Sequence, residues 1–203
     1  MKKIALLFAL LILVSCSKKL FNEKWTKEKA PSEFKAVFDT TKGNFEIYAK
    51  REWSPQGVDR LYSLIKNGFY RDMPIFRVVP NFVAQFGIHN DSILNNRWSK
   101  FGLDDEPVLI KNDSMTIAFA RGGLKTRTTQ IFINLKNNNR LDELEYSGVK
   151  GFPVVAKVIE HERKKPGPYT AGVPGEQAKL PNEQGVHVDA EGATHHVDEL
   201  ADQ

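Results

Sequence analysis

Ile75-Phe-Arg-Val-Val-Pro-Asn-Phe-Val-Ala-Gln-Phe-Gly87 is the stretch of this sequence that decides the fold. Two apolar runs flank Pro80-Asn81, a turn signal, so the stretch predicts a β-hairpin. Because side chains alternate between the two faces of a strand, the loop length decides which residues share a face. A two-residue loop sets Arg77 and Gln85 opposite apolar residues, whereas a three-residue loop, 80–82, sets them opposite each other. The second register separates polar from apolar faces, and we predict it.

In this register one face of the hairpin is wholly apolar and is predicted to join the core: Phe76, Val78, Ala84 and Phe86. The opposite face places Arg77 beside the amide of Gln85. A second predicted strand, 129–135, divides in the same way. Its two faces are Ile131, Ile133 and Leu135 on one side, and Gln130, Phe132 and Asn134 on the other. Two such strands predict a concave apolar site with a few placed polar groups.

Several segments, in the same order along the chain, resemble the cyclophilin family. The hairpin resembles its signature F-H-R-[IV]-[IV]-P-x-F-x-x-Q-x-G. The other matches are Met115–Gly123 (the M-A-x-A strand), Gln130–Asn134 (S-Q-F-F-I), Asn139–Asp142 (x-W-L-D) and Val154–Glu160 (V-F-G-x-V-x-E). The resemblance implies a mainly β fold, a closed eight-stranded barrel with a capping helix. It also implies peptidyl-prolyl cis-trans isomerase activity without a cofactor.

By this resemblance Arg77 is the catalytic arginine, and Gln85 orients it and meets the substrate carbonyl. Each has a structural alternative: Arg77 as an edge-strand residue paired with a surface acid, Gln85 as a solvent-facing amide. The remaining substrate-binding positions are implied in the same way: Phe82, Val83, Ala120, Arg121, Gln130, Phe132, Leu141 and Phe152. Core packing is the alternative for the apolar members of this set.

Four positions depart from the family pattern. Val83 stands where methionine is common, so we expect a slightly reshaped pocket. Arg121 replaces the usual asparagine, but we expect its contact with substrate to be made by the backbone, which survives the change. Phe152 stands near the usual pocket histidine. Arg140 stands where eukaryotic members have a tryptophan that binds cyclosporin, so we predict weak cyclosporin affinity.

The N-terminus has the pattern of a secretory signal. Lys2 and Lys3 precede an apolar run, 4–14, that is too short to span a bilayer comfortably. The segment 1–15 ends before Cys16, the single cysteine of the chain, and resembles a bacterial lipobox. We expect a lipid anchor on Cys16, a tether over 16–32 with Phe21 and Trp25 able to pack onto the domain, and residence in the cell envelope, at an outer membrane facing the periplasm. A cleaved signal with an incidental cysteine, or a short anchor, is the alternative.

Between the tether and the tail, residues 33–160 are predicted to form the isomerase domain. Alternation from Phe34 to Lys50 predicts a hairpin, and Ser54-Pro55 predicts a helix start with Ser54 as the N-cap. Asn67-Gly68 predicts its end. The segment 88–112 is predicted to be a long irregular loop.

The chain changes character after Glu160. Residues 161–203 are rich in Gly, Pro, Glu, Asp and His without apolar periodicity, and are predicted to be disordered. Cyclophilins normally continue here with a helix and a strand that closes the barrel, and neither is recognisable. A natural tail and a shifted or spliced reading frame both account for this ending, which is expected to impair activity.

The net charge of +4, with acids and bases interspersed, does not indicate a nucleic-acid partner. No metal-ligand cluster or phosphate loop is apparent in the predicted domain. We expect a monomeric isomerase of X–Pro bonds whose partners are proline-containing polypeptides and a membrane, and which assists the folding of exported proteins. A non-catalytic module that binds proline-containing peptides in the envelope is the alternative.

Overall fold

The structure is a computed structural model that describes residues 21–163 and 187–189. Its helices are two short 3-10 turns, Glu23–Lys27 and Arg51–Trp53, and the α-helices α1 (Pro55–Lys66), α2 (Ser92–Trp98) and α3 (Arg140–Glu143). Its strands are β1 (Glu33–Thr40), β2 (Gly43–Lys50), β3 (Arg77–Val79), β4 (Val83–Phe86), β5 (Thr116–Phe119), β6 (Ile131–Asn134), β7 (Glu145–Tyr146), β8 (Val149–Lys150), β9 (Val154–Arg163) and β10 (His187–Asp189). The described chain is therefore mainly β, as predicted.

Eight of these strands form one antiparallel sheet in the order β10-β1-β2-β9-β5-β6-β4-β3, and β7 pairs with β8 separately. Within the described residues the sheet is open, with β3 and β10 as its edges. The predicted closure into a barrel is not seen among these strands. The site described below lies at the β3 end of the sheet.

The main core lies between α1 and one face of the sheet. The predicted alternation in β1 is confirmed, because Phe34, Ala36 and Phe38 are all buried in this core. On the helix, Val58 and Leu61 have no exposed surface. Burial of such aliphatic and aromatic side chains is the main stabilising contribution here.

Helix α1 begins at Pro55 with Ser54 at the N-cap position, as predicted, but the Ser54 side chain makes no capping hydrogen bond. The carboxylate of Glu106 takes that place: it accepts from the backbone N–H of Gln56 (2.8 Å) and of Gly57 (3.2 Å), and from the Ser54 hydroxyl. A carboxylate suits the partial positive charge at a helix N-terminus. The predicted N-cap position is confirmed, whereas the expected role of the Ser54 side chain is wrong, because the capping bonds come from a distant loop.

The central hairpin has the predicted register. Arg77 lies opposite Gln85 and Val79 opposite Val83, around a turn in which Asn81 adopts a positive φ of 56°. The prediction of a buried second face is wrong for Phe76 and Val78, which are 43% and 58% exposed. Phe76 directly precedes the edge strand β3 and Val78 lies in it, whereas Ala84 and Phe86, on the same face of the inner strand β4, are buried as predicted.

In β6 the alternation assigns the faces as predicted: Ile131 and Ile133 enter the main core, and Phe132 does not. Leu135 lies beyond the strand and is partly exposed. The same division holds in β5, where Ile117 belongs to the core and Ala118 to the opposite face.

Two segments predicted as irregular have more structure than expected. The predicted loop 88–112 contains α2, capped by Asp91, which accepts from Ile93 N (2.8 Å) and Leu94 N (3.3 Å). Residues 21–32, part of the predicted tether, lie against α1: Ser63 donates to the carbonyl of Trp25 at 2.6 Å.

Two parts of the tail, which was predicted to be disordered, form strands in the structure. Strand β9 continues to Arg163, and residues 187–189 form β10, which pairs with β1. The other tail residues, the signal segment and Cys16 lie outside the described residues. No helix in the described ranges is long and apolar enough to cross a membrane.

Candidate active site

Arg77 is the first residue of β3 and its side chain is exposed. Its Nη1 donates to Oε1 of Gln85 at 3.2 Å, across the hairpin. No carboxylate within residues 21–159 forms an ion pair with it. Since a guanidinium carries five N–H donors, most of the donors of Arg77 are open to a ligand. The edge-strand ion pair that the sequence offered as the alternative is therefore absent from this range.

A second amide continues this hydrogen-bond chain. Gln85 Nε2 donates to Oε1 of Gln130 at 2.9 Å, and the Gln130 carbonyl accepts from Ala120 N at 2.9 Å. The end of β4 lies close to the backbone that leads into β6. This approach depends on Gly87, where a Cβ would lie only 2.4 Å from the Thr129 carbonyl oxygen. These hydrogen bonds hold the Gln85 amide with its oxygen towards Arg77.

An apolar cluster lies beside this chain, on the face of the sheet opposite the main core. Its buried members are Val83, Ala118, Phe132 and Leu141, and Phe82, Ala120 and Phe152 pack against them partly exposed. The rings of Phe132 and Phe152 meet edge to face at 5.7 Å. We call this set the pocket cluster. It brings together the apolar positions singled out from the sequence, and adds Ala118, which the alternation of β5 would have placed there.

Arg121 was expected to act through its backbone, but its side chain also contacts neighbouring residues. It is 1% exposed, forms an ion pair with Asp105 at 3.3 Å, and stacks on the Phe152 ring with 4.8 Å between Cζ and the ring centre. Burial lowers the pKa of its guanidinium, although Asp105 opposes that shift. Arg121 therefore supports a wall of the pocket cluster through its side chain, whatever its backbone contacts.

Two cavities flank the pocket cluster. The smaller, about 250 Å³, is lined by Gln85, Ala120, Arg121, Gly122, Thr126, Thr128 and Gln130. The larger, about 600 Å³, is lined by Val79, Asn81, Phe82, Lys136, Asn137, Asn138, Asn139 and Arg140. Phe82 belongs to both the pocket cluster and the larger cavity, so a chain bound at one reaches the other.

Buried amides hold the walls of the site, and of these only Asn134 was singled out from the sequence. Asn138 Nδ2 donates to the carbonyl of Phe82 (2.8 Å), and Asn112 Nδ2 donates to the carbonyl of Phe152 (2.9 Å). Asn134 joins the two, donating to Asn112 and accepting from Asn138. Buried amides that find such partners fix the backbone around them. The sequence carried no local signal for this, because the partners are distant along the chain.

The geometry suits binding of an extended chain rather than covalent chemistry. It offers a charged donor held by an amide, an adjoining apolar cluster, and two flanking cavities. Among residues 21–163 and 187–189, no group of three or more His, Cys, Asp or Glu side chains could hold a metal ion.

Comparison with known proteins gives the family. The sequence profile of the family described as cyclophilin type peptidyl-prolyl cis-trans isomerase/CLD matches residues 35–165, well over half of the chain. This chain therefore belongs to the cyclophilin-type peptidyl-prolyl cis-trans isomerase family.

Individual relatives agree. The chain is 27% identical over 142 residues to peptidyl-prolyl cis-trans isomerase A of Dickeya dadantii, covering 66% of this chain and 75% of that protein. It is 30% identical over 122 residues to a peptidyl-prolyl cis-trans isomerase of Acinetobacter baylyi, covering 60% and 64%. A crystal structure of a cyclophilin type isomerase from Cryptosporidium parvum shares the fold, with a TM-score of 0.53 and 16% identity over 78% of this chain and 98% of that one.

Proposed function

We propose that this protein catalyses cis-trans isomerisation of X–Pro bonds in exported polypeptides, from a lipid anchor in the bacterial cell envelope. The observation that carries the catalytic part is the placement of Arg77. Its guanidinium is exposed, has no carboxylate partner among the described residues, and is held 3.2 Å from Gln85 beside the pocket cluster.

The reaction requires no nucleophile. Rotation must remove the partial double bond of the peptide C–N link, which has a barrier of about 18–20 kcal/mol. X–Pro bonds populate both isomers and exchange over roughly tens to hundreds of seconds. A catalyst acts by binding the twisted state more tightly than either planar isomer.

Arg77 supplies that difference. When the bond twists, the prolyl nitrogen becomes pyramidal and gains a lone pair that accepts a hydrogen bond. The Arg77 guanidinium, which is always charged, donates to it, whereas the planar amide nitrogen offers no such acceptor. The selectivity for the twisted state follows from this difference.

The pocket cluster and the Gln85 amide hold the substrate while the bond rotates. The rings of Phe132 and Phe152 and the Leu141 side chain offer an apolar surface for the pyrrolidine ring. Gln85 uses one N–H on Gln130, and an amide NH₂ has two, so the second can meet a substrate carbonyl.

Exchange NMR on a short X–Pro peptide, with the full chain and its Arg77→Ala variant, tests the catalytic proposal. We expect Arg77→Ala to lower kcat/KM by about 10²–10³-fold, the usual loss for one transition-state donor. Stability should change by less than about 0.5 kcal/mol, because the side chain is exposed. Arg97→Ala, at an exposed arginine of α2, is the matched control and should retain full activity.

The outcomes separate the enzyme from its alternative. Peptide resonances that shift on binding without faster exchange would identify a non-catalytic proline-peptide module. Equal activity in the wild type and Arg77→Ala would remove Arg77 from the mechanism.

The anchoring part of the proposal rests on sequence alone. The apolar run 4–14 and the lipobox-like segment before Cys16 support it. We expect metabolic labelling with a clickable fatty acid to mark the wild type and not Cys16→Ala, and the variant to leave the membrane fraction. Labelling that persists in Cys16→Ala would refute the anchor.

A further inference from the structure

The larger cavity carries positive charge that nothing in the described chain neutralises. Lys136 and Arg140 are exposed residues of its lining, and neither forms an ion pair with any carboxylate in residues 21–159. The lining contains no Asp or Glu. The nearest acids along the chain are engaged elsewhere: Asp142 accepts from Asn112, and Glu143 pairs with Lys150.

The smaller cavity differs from the larger one in the pairing of its positive charge. Its one cation, Arg121, is 1% exposed and already paired with Asp105. The two cavities flank the same pocket cluster, so the chain being bound meets a neutralised cation on one side and two unpaired cations on the other.

The Arg140 side chain is held in position by a contact with an aromatic ring. Its guanidinium lies over the Phe82 ring, with 4.8 Å between Cζ and the ring centre. A guanidinium that stacks through its face keeps its N–H edge available for a carboxylate. Asn138 fixes the floor beneath it by donating to the Phe82 carbonyl at 2.8 Å.

The larger cavity adjoins the pocket cluster, where the proline ring of a substrate would bind. Phe82 packs against the pocket cluster and also lines the larger cavity. An extended chain advances at most about 3.3–3.6 Å per residue, so a proline against the pocket cluster places the residues next to it at this cavity.

We propose that the larger cavity selects substrates that carry a carboxylate side chain within two residues of the proline, with Lys136 and Arg140 as its counter-charges. The inference rests on the proposed function, since it assumes that proline-containing chains bind at the pocket cluster. The occupant is therefore an acidic segment of the polypeptide substrate.

The test uses the full chain and matched peptides with one proline. Glu is placed in turn at each of the two positions on either side of the proline, and each Glu peptide is paired with its Gln and Lys counterparts. Dissociation constants come from chemical-shift titration and kcat/KM from exchange NMR on the same samples.

We expect at least one Glu peptide to bind about three- to tenfold more tightly than its Gln counterpart, and the Lys peptide to bind more weakly than both. That range corresponds to two partly exposed charge pairs. The preference should shrink in high salt, which screens exposed charges.

Variants assign the preference to the cavity. In Lys136→Gln combined with Arg140→Gln, the ratio of Glu to Gln affinity should fall to about one. Arg140→Lys keeps the charge but loses the planar stacking, and should retain part of the ratio. Lys42→Gln makes the same change of charge at an exposed turn residue between β1 and β2, and should leave the ratio unchanged.

A ratio of one at every position, or a ratio that survives the double variant, overturns the inference. Exchange that is catalysed without any Glu preference overturns the inference alone. A Glu preference in binding without catalysed exchange supports the inference and refutes catalysis, and absence of any binding refutes both.

Discussion

Strands β4, β5 and β6 present two faces that share one backbone but differ in what covers them. On one face Phe86, Ile117 and Ile131 pack into the large core under α1. On the other, Val83, Ala118 and Phe132 form the small pocket cluster, which loops rather than a long helix surround. The helix-covered face is filled and stabilises the fold. The loop-covered face has cavities at its margins, and the candidate active site lies there.

Two arginines show the same contrast. The Arg127 side chain has no exposed surface, pairs with Glu106 at 2.9 Å, and donates to the Asp104 carbonyl. Arg77 is exposed and has one neutral partner at 3.2 Å. A buried, paired guanidinium serves structure, whereas an exposed one held by an amide remains available to a ligand.

The largest expected effect comes from breaking the structural ion pair. Arg127→Met leaves the Glu106 carboxylate mostly buried without its counter-charge at the start of α1. We expect a loss of about 3–5 kcal/mol in the free energy of unfolding, measured by urea denaturation. Arg97→Met is the exposed control. A loss below about 1 kcal/mol would mean that the Glu106 cap does not need Arg127.

The next largest effect lies in the core face of β6. Ile131→Ala empties a position with no exposed surface and should cost about 2–5 kcal/mol of unfolding free energy. The kcat/KM of the folded protein should stay within a few-fold of the wild type, because Ile131 points away from the pocket cluster. Ile159→Ala, at a residue that is 47% exposed, should change stability by less than about 0.5 kcal/mol. Similar losses in the two variants would contradict the assignment of the faces.

The smallest effect on stability, with a clear effect on activity, is expected at Gln85. Gln85→Leu removes the amide that holds Arg77, and hydrogen bonds to charged groups contribute about 1.5–3 kcal/mol. We expect kcat/KM to fall about 10- to 100-fold, with the urea midpoint almost unchanged. A fall in stability that accounts for the lost activity would instead make Gln85 a packing residue.

Alternation of side chains was enough to predict the register of the β3–β4 hairpin and the division of β6. It could not show that Phe76 and Val78 are exposed, because alternation predicts which residues share a face and not whether anything covers that face. Coverage depends on neighbours that are remote in sequence. The family resemblance supplied the roles proposed for Arg77 and Gln85, which periodicity alone could not suggest.

Features that depend on distant partners escaped prediction. Glu106 caps α1 from fifty residues away, as its bond to Gln56 shows. Asn112 and Asn138 lie in segments that the sequence predicts as loops. Both are nevertheless buried, and their amides hold the walls of the pocket. Helix α2 was missed because it is short and packs only Leu94 and Trp98 against the core, which is too few residues to set a helical period in the sequence.

The pairing of β1 with β10 has a consequence for the order of folding. It joins Lys35 to Asp189, near opposite ends of the described chain. Closing so long a loop is entropically costly and slow compared with forming a local hairpin. Because domains are synthesised from the N-terminus, β1 emerges early and its outer edge is paired last. An unpaired strand edge is a template for association with other chains, so the newly made protein is most exposed to aggregation in that interval.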